Sequence, residues 1–358
     1  MKIKKVEASA INLPLIKPYK SAYGVVERLG NVLVKIHTDD GTIGVGEAAP
    51  RLEYGGEFQE GVVLLVGKIS PLIIGGNPFD IEKLHETMDA FIAGNSATKA
   101  SIDVALYDIM GKAKGLPTYM LMGGLCKESI PKCQSVSMDA STNMAREAKR
   151  LVEEEGIAVL EVKVGSGPDR DVETIKAIRE AVGADIDIIA DANQSWSAKT
   201  AIKTIKRMER YEVIVEQPTA DIDMMALVTK SVDVPILADE SVCTPQDAIN
   251  IVSRGAADMI KINLMRVGGI CKAKKIISVA EAAGITCRIG ERLVGKITNT
   301  AAMQLAVSTK NEKYSAVLQH QRLSLDVVRS GGIVVGKDEV RLGDAPGLGL
   351  EIDENILP

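Results

Sequence analysis

Aromatic side chains are scarce in this 358-residue sequence, at 3% with one Trp and three Phe. The core must therefore be packed with Ile, Val, Leu, Met and Ala, the residues that fill parallel sheets covered on both faces, and this leans toward an α/β fold. Cysteine offers no framework. Cys126, Cys133, Cys243, Cys271 and Cys287 are odd in number, scattered and without Cys-x-x-Cys spacing, so they read as small hydrophobes. Excess positive charge is missing too: the formal net charge is -5, which gives a polyanion no broad attraction and sets nucleic acid aside. No apolar stretch is long enough to cross a membrane, and "MKIKKVEASAINLPL" lacks the continuous apolar segment of a signal peptide. A cytoplasmic protein without a membrane partner is expected. Nothing resembles the G-x-G-x-x-G turn of a nucleotide-binding open sheet.

What is present is ordinary globular material, 46% hydrophobic and 25% charged, long enough for two domains or one barrel with an addition. The first forty-odd residues read as an antiparallel meander, with "NVLVKIHTDDGTIGVGEAAP" turning at Asp39, Asp40 and Gly41. Between Gly61 and Gly115 the apolar spacing becomes helical, in "PFDIEKLHETMDAFIA" and "SATKASIDVALYDIMGKAKG". Together these predict an α+β domain over 1–125. Over 126–325 short apolar strands alternate with amphipathic helices. Strands are expected near 130–138, 157–164, 186–191, 213–216, 235–238, 258–262, 285–289 and 315–319. Such alternation requires parallel strands and right-handed crossovers, and eight strands fit a closed barrel. The tail, 326–358, is strand and turn again and is expected to return to the first domain.

The ends of the barrel strands repeat a theme. "LEVKVG" presents Lys163, "IIADANQSWS" Asp191, "VIVEQP" Glu216, "PILADES" Asp239 and "MIKIN" Lys261, at steps of 28, 25, 23 and 22 residues. Each step is one strand-plus-helix unit, so these side chains should converge on the C-terminal mouth of the barrel. Taken singly, each acid is more simply a helix cap or a lysine partner. Three carboxylates on adjacent strands, however, repel one another unless a cation or protons neutralise them. All-oxygen ligation without His or Cys suits Mg²⁺, with Mn²⁺ as a substitute. The two lysines flank the acids in order and should face each other across the ion, which would push their pKa values down as a base requires. A substrate carboxylate on the metal would then lose its α-proton to give a stabilised enediolate.

This order of residues, within "VKVG", "DANQSW", "VEQP", "ADES" and "IKINLMRVGGI", resembles the enolase superfamily, in its muconate-lactonizing-enzyme (mandelate racemase/muconate cycloisomerase) subgroup. "TDDGTIGVGEAAP" is similar to the capping-domain hairpin of that group and "DAPGLGLEID" to its closing segment, so the resemblance spans nearly the whole chain. It implies an α/β fold, a modified TIM barrel (β/α)7β with an α+β capping domain built from both termini. It also implies Asp191, Glu216 and Asp239 as Mg²⁺ ligands and Lys163 with Lys261 as acid/base pair, acting on a small-molecule carboxylate in a homo-oligomer. The implied reaction is isomerisation by a racemase, epimerase or muconate-type cycloisomerase. A lyase of the same superfamily, such as a dehydratase or an o-succinylbenzoate-synthase-like enzyme, and a non-catalytic metal-binding protein are the alternatives.

The sequence departs from that pattern in three places. Glu161 stands where the subgroup usually carries the first Lys of Lys-x-Lys. On the same strand face as Lys163, it either raises the lysine's pKa, leaving Lys261 as the base, or pairs with an Arg elsewhere. On the seventh strand "TCRIGERLVGKI" places Glu291, with Arg292 as an unusual neighbour. On the eighth, "VLQHQ" replaces the Asp-x-Asp with which dipeptide epimerases hold a substrate ammonium. Gln319 and Gln321 hydrogen-bond but neutralise no amine, which disfavours dipeptide epimerisation. Asn193, Gln319 and His320 are further substrate-side candidates, although a lone His on a barrel strand is more often structural. Tyr19, Tyr23 and Tyr54 lie in segments matching lid loops that would close the site against water.

Overall fold

The computed structural model describes residues 1–21 and 23–357, apart from the side chain of Tyr54. Three antiparallel strands, β1 (Ile3–Ser21), β2 (Gly24–Thr38) and β3 (Ile43–Ala48), pair in the order β1-β2-β3. The β2–β3 turn uses Gly41 at φ 89°, and Thr38 Oγ1 donates to Asp40 at 2.6 Å. Four helices follow: α1 (Leu52–Gly55), α2 (Gln59–Ile73), α3 (Ile81–Phe91) and α4 (Ser96–Lys114). From Ala97 to Gly111 every residue of α4 is buried. Alternate glycines in β3 allow this. A Cβ at Gly44 would lie 2.2 Å from Ala105 O, and one at Gly46 would lie 1.9 Å from Ser101 O.

The barrel begins with the short β4 (Ile130–Pro131) and then β5 (Cys133–Val136), so the strand expected over 130–138 is broken in two. Pro131 has no N–H to give a ladder, and β4 instead pairs with the tail. Six further strands follow in sequence: β6 (Val159–Lys163), β7 (Asp187–Asp191), β8 (Val213–Glu216), β9 (Ile236–Ala238), β10 (Met259–Ile262) and β11 (Thr286–Ile289). With β5 they form one parallel sheet in sequence order. Between them lie α5 (Ser141–Glu155), α6 (Pro168–Val182), α7 (Ala198–Met208), α8 (Ile222–Ser231), α9 (Pro245–Arg254), α10 (Leu264–Val267) and α11 (Ile270–Ala282); α12 (Lys296–Val307) follows β11.

The eighth stave, expected as a strand over 315–319, is irregular. Isolated bridges join Cys287 to Glu312 and Gly290 to Ala316, and Ala316 N donates to Ile289 O at 2.9 Å. Tyr314 at φ 66° interrupts the extended run, and the chain then winds into a 3-10 turn over Gln319–Arg322. The architecture is nonetheless that of the modified TIM barrel with an antiparallel capping sheet.

Buried carboxylates from the N-terminal region cap barrel helices. Glu47 of β3 accepts from Gly295 N (2.8 Å), Thr298 N (3.1 Å) and Asn31 Nδ2 (2.6 Å), which satisfies the first turn of α12. Asp103 of α4 accepts from Ile270 N at 2.6 Å, at the start of α11, and His85 Nε2 lies 2.7 Å from its other oxygen. In the tail, β12 (Val328–Gly331) pairs with β15 (Leu350–Ile352), while β13 (Ile333–Val335) and β14 (Glu339–Leu342) join β4. Leu348 N donates to Asp108 of α4 at 2.8 Å, and Lys35 of β2 pairs with Glu354 at 2.6 Å. Among the described residues no helix is long and apolar enough to cross a membrane.

Candidate active site

Inside the barrel the side chains stack in layers. Cys133, Val159, Ile189, Ile214, Leu237, Met259 and Ala316 form an apolar floor, one from each stave except β11. Because side chains alternate along a strand, the residue two positions further on faces the same interior one layer higher. That layer is Glu161, Asp191, Glu216, Asp239 and Lys261, all buried, with Arg288 entering beside Lys261, its register partner. Lys163 lies one layer higher again. The two lysines are therefore not equivalent: Lys163 ends its strand, whereas Lys261 is one short of the end of β10 and 2% exposed.

The charged layer is tightly paired. Lys163 Nζ is 2.6 Å from Glu161 Oε1 and also bonds Asp191. Lys261 Nζ is 2.6 Å from Glu216 Oε1, 3.3 Å from Asp239 and 3.6 Å from Glu161. Arg288 reaches Glu216 Oε2 at 2.6 Å and Glu161 Oε2 at 2.7 Å, and Arg266 grips Asp239. The lysine pKa values, expected to fall beside a divalent ion, are set among these side chains alone by the acids. Both ammoniums share Glu161. Burial pulls Lys163 down, but Asp191 and Glu161 more than offset it and hold the ammonium well above the usual lysine range. Lys261 is likewise raised, burial being outweighed by Asp239, Glu161 and Glu216. Glu161 pairs both with Lys163 and with Arg288.

The acids divide by environment. Burial pushes the Asp191 and Glu216 carboxyls up, against Lys163 and Lys261 respectively. In Glu161 burial is outweighed by Lys163, Lys261 and Arg288, and in Asp239 by Arg266, Lys261 and Arg292. Several buried oxygens here accept no hydrogen bond: Asn193 Oδ1, Asp239 Oδ2, Glu240 Oε2 and Glu291 Oε2. Acceptor oxygens left without a hydrogen bond suit a hard cation. Carboxylate oxygens of Glu161, Asp191 and Glu216 lie within 4.8 Å of one another and could hold one, while the Asp239 carboxylate pairs with Arg266 through Oδ1.

Above this layer opens a cavity of about 230 Å³, lined by Lys163, Lys261, Asn193, Glu291, Gln319 and Tyr19 among others. Asn193 follows Asp191 at φ 43°, a strained backbone that aims its N–H at Asp191 Oδ1 (2.9 Å). Glu291 accepts from Leu264 N at 2.6 Å, and burial pushes its carboxyl up to about 8. Tyr19 belongs to the far end of the β1–β2 hairpin, which docks on the rim through Lys20 N and Ser137 Oγ (2.8 Å). Tyr23 donates to Glu240 at 2.9 Å, and the Arg292 guanidinium lies 5.2 Å from its ring centroid.

Two expected contacts do not form. His320 is not among the residues lining the cavity; its ring and backbone N engage Asn299 Oδ1 at 3.0 and 2.8 Å, because the 3-10 turn rotates it outward. Gln321, in the same turn, is exposed. Tyr54 falls in α1, and its side chain lies outside those described. Sequence reasoning missed Arg51, which lines the cavity, and Gln217, whose Oε1 accepts from Asp239 N (2.7 Å) and Ser241 N (3.2 Å) and so shapes the turn after β9. It also missed Arg288, an arginine inside an apolar run whose carboxylate partners lie more than 70 residues away.

Residues 5–123 match the family described as mandelate racemase / muconate lactonizing enzyme, N-terminal domain, and residues 143–356 that described as enolase C-terminal domain-like. The chain is 39% identical to a hydrophobic dipeptide epimerase of Enterococcus faecalis over 357 residues, covering 98% of this chain and 99% of that protein. The crystal structure of the dipeptide epimerase from that organism, complexed with Mg and the dipeptide L-Leu-L-Tyr, superposes with a TM-score of 0.95 at 39% identity, covering 98% of this chain and 100% of that one. An N-succinyl-L-Arg/Lys racemase of Bacillus cereus is 36% identical over 362 residues, 100% of this chain and 97% of the relative. Muconate cycloisomerase 1 of Rhodococcus opacus is 29% identical over 360 residues, 99% of this chain and 96% of the relative. With both of its domains matched and these isomerases aligned end to end, the chain belongs to the mandelate racemase/muconate lactonizing enzyme family of the enolase superfamily.

Proposed function

We propose that this isomerase is a Mg²⁺-dependent racemase or epimerase that exchanges the proton on the carbon next to a substrate carboxylate. One observation carries the reading: buried carboxylates from successive strands meet beneath a small cavity, with a lysine from each flanking strand bonded to them. Asp191, Glu216 and Asp239 would hold the ion, and Mn²⁺ has the same ligand preference. The ion, when bound, draws negative charge onto the substrate carboxylate and so acidifies the neighbouring C–H. Lys163 and Lys261 now spend their charge on Asp191, Glu161 and Glu216. Once those acids are otherwise neutralised, what holds the lysines' pKa values high is removed. Burial, which favours the neutral amine, then makes either a competent base.

On the substrate side, the eighth stave offers Gln319 where an acid would neutralise an ammonium, so we favour a carboxylate whose α-nitrogen is acylated. Residues 1–125 and 326–358 would supply the cap and 126–325 the barrel, in a homo-oligomer acting in the cytoplasm. A second reading, one-base chemistry of the cycloisomerase kind, is favoured by the depth of Lys261, one layer below Lys163.

The test is α-deuterium incorporation in deuterium oxide with Mg²⁺, across N-acyl amino acids, proline derivatives, dipeptides and muconates. Two-base chemistry requires that Lys163→Ala abolish exchange from one enantiomer and Lys261→Ala from the other. One-base chemistry leaves Lys261→Ala able to exchange. Absence of exchange from every class, in a wild-type protein shown to bind Mg²⁺, would reject both.

A further inference from the structure

We propose that Arg288 is a positioning residue that guards the metal site: by occupying one oxygen of Glu161 it keeps that neighbouring carboxylate from joining the ion, and it fixes which oxygen Glu216 presents. The proposal rests on the reading of Asp191, Glu216 and Asp239 as ligands.

Arg288 is 0% exposed and each of its nitrogens is engaged. Nη1 donates to Glu216 Oε2 at 2.6 Å, and Nη2 donates to Glu161 Oε2 at 2.7 Å and lies 3.5 Å from Cys133 Sγ. Nε donates to the Tyr314 carbonyl at 3.0 Å. A guanidinium cannot shed its charge on burial, and its planar fork fixes the oxygens it binds. One oxygen of Glu216 is thereby occupied, and the other, Oε1, accepts from Lys261 at 2.6 Å.

Glu161 is the hazard. Its carboxylate lies close enough to Asp191 and Glu216 for all three to hold one ion. A fourth carboxylate on the metal would take a position that substrate oxygens need. Glu161 is restrained at both ends, by Lys163 on Oε1 and by Arg288 on Oε2. In the layer as a whole, Glu161, Asp191, Glu216 and Asp239 are matched by Lys163, Lys261, Arg266 and Arg288. Removing Arg288 leaves an uncompensated negative charge and frees Glu161 Oε2 to bind the ion.

The consequence is a split that a merely structural arginine would not produce. Arg288→Met should bind Mg²⁺ more tightly, by at least about tenfold in calorimetric titration, because one like charge is gone and one ligand is added. Its turnover should fall by roughly 10–100-fold, the usual effect of losing a partner that orients a metal ligand. Glu161→Gln combined with Arg288→Met removes the intruding carboxylate with its guard, and should return Mg²⁺ affinity to within a few-fold of wild type while recovering turnover. Arg288→Lys keeps the charge but reaches only one carboxylate; it covers the case in which the methionine variant does not fold, and should bind Mg²⁺ measurably more tightly than wild type. Wild-type affinity in Arg288→Met, or in Arg288→Lys where that must stand in, overturns the proposal. So does weakened affinity. A wild-type protein that binds no Mg²⁺ would sink the functional reading itself.

Discussion

Lys163→Met tests whether the buried acids await a cation. In the wild type the Lys163 ammonium neutralises Asp191, whose carboxylate otherwise accepts, among the described residues, from Asn193, through its backbone N at 2.9 Å and Nδ2 at 3.1 Å. Truncating one partner of a buried pair and stranding the other charge costs about 3–5 kcal/mol. Asp191 is 0% exposed, so water cannot make up the loss. For a chain of this length an unfolding entropy of about 2.1 cal/mol/K per residue gives roughly 0.75 kcal/mol/K, and a cost of about 4 kcal/mol lowers the melting temperature by about 5 °C. Thermal unfolding in EDTA should show that deficit. A saturating divalent cation supplies the missing positive charge to the variant but competes with the ammonium in the wild type. With excess Mg²⁺ the gap should therefore shrink to about 1–2 °C, the variant gaining more than the roughly 2.7 kcal/mol expected at a hundredfold excess over Kd. A gap in Mg²⁺ as wide as that in EDTA would show that Lys163 and the ion do not share the same carboxylate.

Gly46→Ala should lower stability by about 1–3 kcal/mol or more, since its Cβ would lie 1.9 Å from Ser101 O and α4 cannot yield while packed on both sides. Gly67→Ala in α2, where a Cβ meets nothing within 4 Å, should be neutral or stabilising by about 0.4–1 kcal/mol; urea unfolding of the pair checks the argument. His320 is held to about 4 by burial and then by Lys296. A histidine whose folded pKa is depressed favours the fold above its unfolded pKa near 6.5, and that contribution is lost as pH falls toward 4. Between pH 7 and 5 the wild type should lose about 2 kcal/mol that His320→Gln does not, measured as the difference in chemical unfolding at the two values. Equal pH sensitivity of the two proteins would remove His320 from that account.

Much of the site is readable in the sequence because each candidate ends an apolar run. A strand buried on both faces has no use for Asp191, Glu216 or Asp239 unless they meet something, and spacing by one strand-plus-helix unit makes them neighbours in any barrel of this kind. Other parts are hidden for definite reasons. "TCRIGE" does not announce that Arg288 crosses the barrel, since the partners that make burial tolerable are 72 and 127 residues away. "VLQHQ" reads as a strand because alternation is its only signal; Tyr314 in the left-handed region breaks it, and one turn of 3-10 helix sends His320 to Asn299 and Gln321 to solvent.

By itself the sequence determined the fold class, the order of the acids and lysines around the barrel and the kind of ion they suit. All of these follow from periodicity and from charge at the ends of apolar runs. Only the tertiary structure decided depth and pairing. Lys261 lies one layer beneath Lys163, Glu161 is shared by two lysines and an arginine, and the cap is stapled to the barrel by Glu47 and Asp103 at the N-termini of α12 and α11. The physical reason is that electrostatic energy depends on distance and burial, and the chain closes those distances only when strands far apart in sequence curl round a common floor.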